Sequence, residues 1–287
     1  RFFVNPAWSK EEKLDTSILD CISESIDVKS FPFPLNAVPK LLLREDNLLT
    51  YAVGLDKFNF AIDNYKIKAS GEKIPKIAFL PTAVGDSAFA IEKFYRVFPP
   101  ERAIASHLPL FSRDSRDLED YLLNQNIIEV SGGNTANMLS IWKIHGIDKI
   151  LKKAWENGII LTGASAGMIC WYECSVTDSF GPSSSLVSGI GLNNRTMLKE
   201  LNSGLGFLKG SACPHYNGEE DRRPIYEKLI KNQILPDGIA LDDYVGAHYI
   251  NGKLIKLITP KIGSKGYKVS SEKKIIQEII IEPELIS

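Results

Sequence analysis

The stretch Gly163-Ala164-Ser165-Ala166-Gly167 restricts what this chain can fold into more than any other. Before it runs Gly158-Ile159-Ile160-Leu161-Thr162, a short apolar run rich in β-branched residues. After it runs Met168-Ile169-Cys170-Trp171-Tyr172-Glu173, which reads as a helix. A strand that turns into a helix through Gly-x-Ser-x-Gly is a nucleophile elbow. Its small residues let the backbone take a strained turn that lifts the serine hydroxyl above the sheet edge. The N–H groups at the helix start then face any negative charge that develops there. Ser165 is therefore the candidate nucleophile, and the plain alternative is a Gly/Ala/Ser-rich turn that only packs tightly.

An elbow of this kind needs a sheet, and from residue 75 the chain supplies strands alternating with helices. Lys76–Leu80 reads as a buried strand stopped by Pro81-Thr82. A helix over 86–98 places Phe89, Ala90, Phe94 and Val97 on one face. Ala103–Leu108 is a second strand, 113–123 a helix capped by Asp114 or Ser115, and Ile127–Val130 a third strand. Ser131-Gly132-Gly133-Asn134-Thr135 then leads into a helix over 136–144, and another spans 148–156. Alternation with short loops predicts an α/β fold: a doubly wound, mostly parallel sheet with helices on both faces. Ligands of such sheets sit outside the carboxyl ends of the strands, where both the Gly132-Gly133 loop and the elbow fall.

The flanks are less regular. Residues 1–40, broken by Phe31-Pro32-Phe33-Pro34 and Pro39, read as an extension or cover carrying one amphipathic helix over 10–26, and 41–287 as a single domain. Leu41–Leu43 and Leu48–Val53 read as a hairpin, and 56–65 as a short helix. Beyond the elbow, 177–191 reads as a long Ser/Gly/Pro-rich surface loop, 205–208 as a short strand and 219–231 as a helix. Ile239–Leu241 is a strand ending in Asp242-Asp243. Asn251-Gly252 marks a hairpin between 245–250 and 253–258, and strands over 267–269 and 274–281 close the chain.

Net charge is −1, which gives no global field for nucleic acid or an anionic membrane, and no apolar run reaches the ~20 residues of a membrane helix. The four cysteines are scattered, which points to a reducing cytoplasm rather than a disulfide framework. Arg1 in first position suggests a processed or trimmed chain.

A serine hydroxyl needs a base, a group that orients the base, and donors for the oxyanion. Four histidines compete for the first role. His107 lies late in a strand, His145 caps a helix before Gly146, and His248 sits inside a strand. His215, in the loop Cys213-Pro214-His215-Tyr216-Asn217-Gly218, lies at the carboxyl edge and is the candidate base. Asp243, with Asp242 beside it, and Asp178 are both candidates for the orienting carboxylate. The oxyanion donors are the N–H groups of Ala166 and of Gly132 or Gly133. Cys170, Cys174 and Cys213-x-His215 make a poor zinc set, because the first two sit in an apolar stretch destined for the core. The Gly132-Gly133 loop lacks the lysine of a phosphate loop and the third glycine of a dinucleotide fingerprint. The expectation is no metal and no cofactor.

Pro81-Thr82-Ala83, Ser131-Gly132-Gly133-Asn134-Thr135, Gly163–Gly167, Thr177-Asp178-Ser179 and Pro214-His215-Tyr216, in that order, resemble the peptidase E family of serine peptidases over roughly residues 70–270. That family contains aspartyl dipeptidases and is related to cyanophycinases. The resemblance implies a fold similar to class I glutamine amidotransferases, with serine as nucleophile, and cofactor-free hydrolysis of short peptides through an acyl-enzyme. By position it assigns Ser165 as nucleophile, His215 as base, Asp243 or Asp178 as third member, and Gly133 and Ala166 as oxyanion donors. Asn134, Arg222 and Arg223 are the candidate substrate-binding residues, an arginine there suiting an acidic side chain. Ser131 stands where the family usually has a glycine. The expected partner is a small peptide, with the chain a monomer or homodimer. The rival readings are an esterase of the α/β-hydrolase type, which would use the order Ser165, Asp178, His215, and a catalytically silent small-molecule binding protein.

Overall fold

The computed structural model describes residues 47–52, 59–181 and 198–287. These residues fall within one unit spanning Glu45–Ser287. The expected extension over 1–40, the strand Leu41–Leu43 and most of the loop over 177–191 lie outside the described residues.

The elbow strand lies in the middle of the first sheet because its residues can be buried on both faces. This strand, β5 (Ile160–Ala164), pairs in parallel with β1 (Asn47–Tyr51) on one side and β4 (Ile127–Val130) on the other. Beyond β4 come β2 (Lys76–Leu80) and β3 (Ile104–His107), also parallel. Beyond β1 the sheet turns antiparallel through β10 (Gly246–Ile250) and β11 (Lys253–Thr259), and β14 (Glu284–Leu285) closes that edge. Both sides of β1 are thus paired, with β10 and with β5. The β10–β11 turn is at Asn251-Gly252, both at positive φ (51° and 72°), as a tight two-residue hairpin requires.

Helices cover both faces. Ile77, Phe79, Ile127 and Ile160 pack under Phe94 and Phe98, at the end of α2 (Ala88–Val97), and alongside α1 (Asn59–Ala69). Ala78, Leu80, Ile128, Val130 and Leu161 face α4 (Thr135–His145) and α5 (Ile147–Glu156). α5 buries Ile147, Ile150, Leu151, Ala154 and Trp155, the i, i+3, i+4, i+7, i+8 stripe of an amphipathic helix. α3 (Leu118–Leu123) starts later than expected, capped by Asp117, because Asp114 spends its carboxylate on the backbone and guanidinium of Arg116.

The sequence suggests one sheet, and the described residues form two. The elbow helix α6 (Ala166–Ile169) lasts barely one turn, and the expected helix through Glu173 is instead strand β6 (Tyr172–Thr177). β6 begins a second sheet, where it pairs in parallel with β8 (Leu208–Cys213), and β8 with β9 (Gly238–Leu241). β7 (Lys199–Leu201), β12 (Gly266–Glu272) and β13 (Ile275–Ile281) complete it. Leu205 and Gly206, expected in a strand, bond the backbone around the start of β6, and the strand starts at Leu208. One face of this sheet joins the core of the first through Tyr172, Ala212 and Leu241, and α7 (Arg222–Lys231) covers the other with Tyr226, Leu229 and Ile230. Strand–helix alternation and the elbow make this an α/β doubly wound fold, with the C-terminal strands shared between two sheets.

Candidate active site

The parallel strands β4, β5, β6, β8 and β9 end in the loops that carry the candidate residues. At the end of β5 the chain bends at Ser165, whose φ of 53° and ψ of −106° lie outside the regions open to ordinary L-residues. Such a backbone costs of order 1–3 kcal/mol and persists only when its surroundings impose it. Ser165 N–H donates to the Tyr51 carbonyl at 3.1 Å, and the Ser165 carbonyl accepts from Met168 and Ile169 N–H to start α6. The two glycines allow α6 to lie against the sheet. A Cβ on Gly163 would sit 2.5 Å from Gly167 O, and one on Gly167 2.4 Å from Val130 O.

His215 follows β8 and, like Ser165, has a positive φ (55°). Its Nε2 lies 2.9 Å from Ser165 Oγ and its Nδ1 2.6 Å from Asp243 Oδ1. A proton on Nδ1 donated to Asp243 leaves Nε2 as acceptor for the serine hydroxyl. The imidazole is 13% and the carboxylate 27% exposed, sheltered yet open to a reactant. The loop is stitched by Gly218 and Glu219 N–H groups on the His215 carbonyl. Gly218 presses on Asp243, since a Cβ there would lie 2.2 Å from Oδ2. Two other histidines are engaged elsewhere, His107 with the Tyr95 hydroxyl and His248 with Tyr65 and Asn47, and His145 ends α4.

The remaining carboxylates separate. Asp178 faces Arg222, 3.7 Å away, while the His215 nitrogen it would need is bonded to Asp243. Asp242 turns towards Lys265 N–H at 2.9 Å and the Tyr267 hydroxyl, and burial pushes its pKa up. Arg222 is 3% exposed and held by Glu219 at 2.6 Å. Burial works against its charge, but Glu219, then Cys213 and Asp178, keep its pKa above the ordinary value. Arg223 pairs with Glu278 and Glu227. Neither guanidinium is without a carboxylate partner.

Ala166 is the first residue of α6, where an N–H has no partner within the helix. Gly132 packs on the elbow: a Cβ there would lie 3.4 Å from both Ala164 O and Ser165 Cβ. Gly133, at φ 129°, turns towards Ala83, where a Cβ would come within 2.3 Å of the carbonyl. Asn134 caps α4 by accepting from Asn137 N–H, and its amide donates to the Ser179 carbonyl at 2.9 Å. Both ends of that side chain are therefore engaged. The Ser179 hydroxyl accepts from Thr135 N–H at 2.9 Å and so ties the 177–181 loop to the start of α4. Ser179 and Gly218 stand in the quoted stretches without a role, and the residues that hold the turn from below, Tyr51 above all, escape a reading of motifs. A charged Glu129 inside the apolar run Ile127–Val130 is the one visible sign of the last group.

A hydroxyl, an imidazole and a carboxylate in one hydrogen-bonded line, beside a helix start, can deprotonate the hydroxyl and receive an oxyanion. The chain is similar to known peptidases. The Bacillus subtilis (strain 168) peptidase YgaJ, itself uncharacterized, is 44% identical over 221 residues, covering 77% of this chain and 89% of that protein. Two crystal structures share the fold. One is a candidate peptidase E protein from Listeria monocytogenes EGD-e (TM-score 0.51, 18% identity, 74% of this chain and 97% of that one). The other is a peptidase from an acI-B1 actinobacterium (TM-score 0.56, 15% identity, 84% and 96%). The profile of Peptidase family S51 matches residues 54–257, and the chain belongs to that family.

Proposed function

We propose that this protein is a serine hydrolase that cleaves short peptides, in the manner of a dipeptidase, through an acyl-enzyme on Ser165. The observation that carries the reading is the line Ser165 Oγ, His215, Asp243, with separations of 2.9 and 2.6 Å. Ser165 Oγ attacks the scissile carbonyl while its proton passes to His215 Nε2. Asp243 holds the imidazole in the productive tautomer and offsets the charge of the imidazolium. The N–H groups of Ala166 and of Gly132 or Gly133 receive the oxyanion. The imidazolium then protonates the leaving amine, and water, deprotonated by the same imidazole, releases the acid.

Asp243 is the third member in this reading and Asp178 is not, which removes the chain order on which the esterase alternative relied. A preference for N-terminal aspartate would require an acidic side chain to displace Glu219 or Asp178 from Arg222, or Glu278 or Glu227 from Arg223. The test is a digest of a dipeptide library, with short-chain esters alongside, by wild type and Ser165→Ala. The reading expects peptide cleavage by wild type alone. Strong ester turnover without peptide cleavage, or equal cleavage by both proteins, overturns it.

A further inference from the structure

We propose that Tyr51, Glu129 and Lys66 form a buried strap that holds the nucleophile turn and the oxyanion loop in register, acting as positioning residues for the hydrolysis proposed above, on which this inference rests.

β1 and β4 flank the elbow strand β5 on opposite sides. Tyr51 is the last residue of β1 and lies across from Ala164, while Glu129, next to last in β4, lies across from Thr162. The Tyr51 hydroxyl donates to Glu129 Oε1, so a side-chain bond passes beneath the strand that carries Ser165. Lys66, on α1, closes the group from below. Its Nζ lies 2.7 Å from Asp63 Oδ1 and 2.8 Å from Glu129 Oε2, and donates to the Tyr51 hydroxyl at 3.1 Å.

Lys66 is 1% exposed. Burial opposes its charge, but Asp63, Glu129 and Tyr51 hold its pKa above the ordinary value, so it remains an ammonium. Buried charge clusters are poor sources of stability, because apolar residues of the same volume often do as well. What this one supplies is direction: each bond fixes one strand end relative to another.

Both ends of the strap lead into the site. The Tyr51 carbonyl accepts the Ser165 N–H at 3.1 Å and so holds the strained turn. Glu129 lies three residues before Gly132, whose backbone packs on Ser165, and beside Val130, whose carbonyl packs on Gly167. Sliding β4 against β1 therefore changes the distance between the oxyanion donors and Ser165 Oγ. A misplacement of about 1 Å at such a site is enough to lose about 100-fold in rate.

The test compares Tyr51→Phe, which keeps the ring and the carbonyl, with Glu129→Gln, Lys66→Met and the Tyr51→Phe/Glu129→Gln double variant, all in the full chain. The readouts are kcat and KM for a cleaved dipeptide, the rate of Ser165 labelling by a serine-directed phosphonate, and thermal melting. We expect kcat and labelling rate to fall together by about 10-fold or more, with KM within about 2-fold, and the double variant to be no worse than its worse parent. A lowered melting temperature with kcat and labelling within about 2-fold of wild type overturns the strap and leaves only a structural cluster. If Glu129→Gln or Lys66→Met does not fold, Tyr51→Phe decides alone. Wild type that is never labelled at Ser165 contradicts the hydrolase reading itself, a result distinct from labelled variants that react at the wild-type rate.

Discussion

Asp243 and Asp178 are the same residue type at the ends of two strands, and they have different partners. Asp243 meets the imidazole at 2.6 Å, where it fixes the tautomer, while Asp178 meets a buried guanidinium. Asp243→Asn is expected to lower kcat by about 10³–10⁴-fold, as loss of a triad carboxylate does, and Asp178→Asn by less than about 10-fold. Steady-state kinetics on one dipeptide measures both, and a larger loss for Asp178→Asn would reverse the assignment. The sequence already narrowed the base to His215, because each of the other histidines has a bland position in its element. It left the aspartate open, because strand-end acids commonly form turns, and only side-chain placement shows which of the two reaches the ring. The same holds for Arg222: its number and type were legible, its burial against Glu219 was not.

At the scale of elements, the elbow works because two backbones approach more closely than a side chain allows. A Cβ on Gly167 would lie 2.4 Å from the Val130 carbonyl, so Gly167→Ala must push α6 off β4. The expected result is a loss of about 1–3 kcal/mol in a urea melt, the usual range for overpacking, together with a drop in kcat, since Ser165 and the Gly132 loop move apart. Unchanged stability and activity would mean that the turn is looser than described. The elements on which function depends were the most readable: β2, β4 and α5 follow from apolar periodicity and from stops such as Pro81-Thr82. β6 was not readable. Trp171 and Tyr172 are fully buried, and a short apolar run reads alike as helix or strand.

At the scale of the molecule, the candidate triad is drawn from two sheets. Ser165 ends a strand of the first, whereas His215 and Asp243 follow β8 and β9 of the second. The shared core of Tyr172, Ala212, Leu241 and their neighbours therefore sets the distance between nucleophile and base. Alternation of strands and helices implied the parallel order, but nothing in it says where one sheet stops and another starts. Long-range packing decides that. The whole fold should also respond to mild acid. Burial, and next Lys256, lowers the pKa of His248, and burial with Arg116 lowers that of His107. The unfolded chain then binds more protons than the folded one as pH falls through about 6.5, so stability is full above that value and declines below it. The urea midpoint is expected to fall between about pH 7.5 and pH 5.5, and His248→Gln to flatten the decline. A slope unaltered by that substitution would remove His248 from the account.

The central claim is that Ser165 is a nucleophile activated by His215. Intact-mass spectrometry after treatment with a serine-directed phosphonate tests it most directly, on wild type, Ser165→Ala and His215→Ala. The account predicts one phosphonyl adduct on wild type, mapped to Ser165, none on Ser165→Ala and a strongly slowed reaction on His215→Ala. Wild type without an adduct at Ser165, or labelling equally fast without His215, would contradict it.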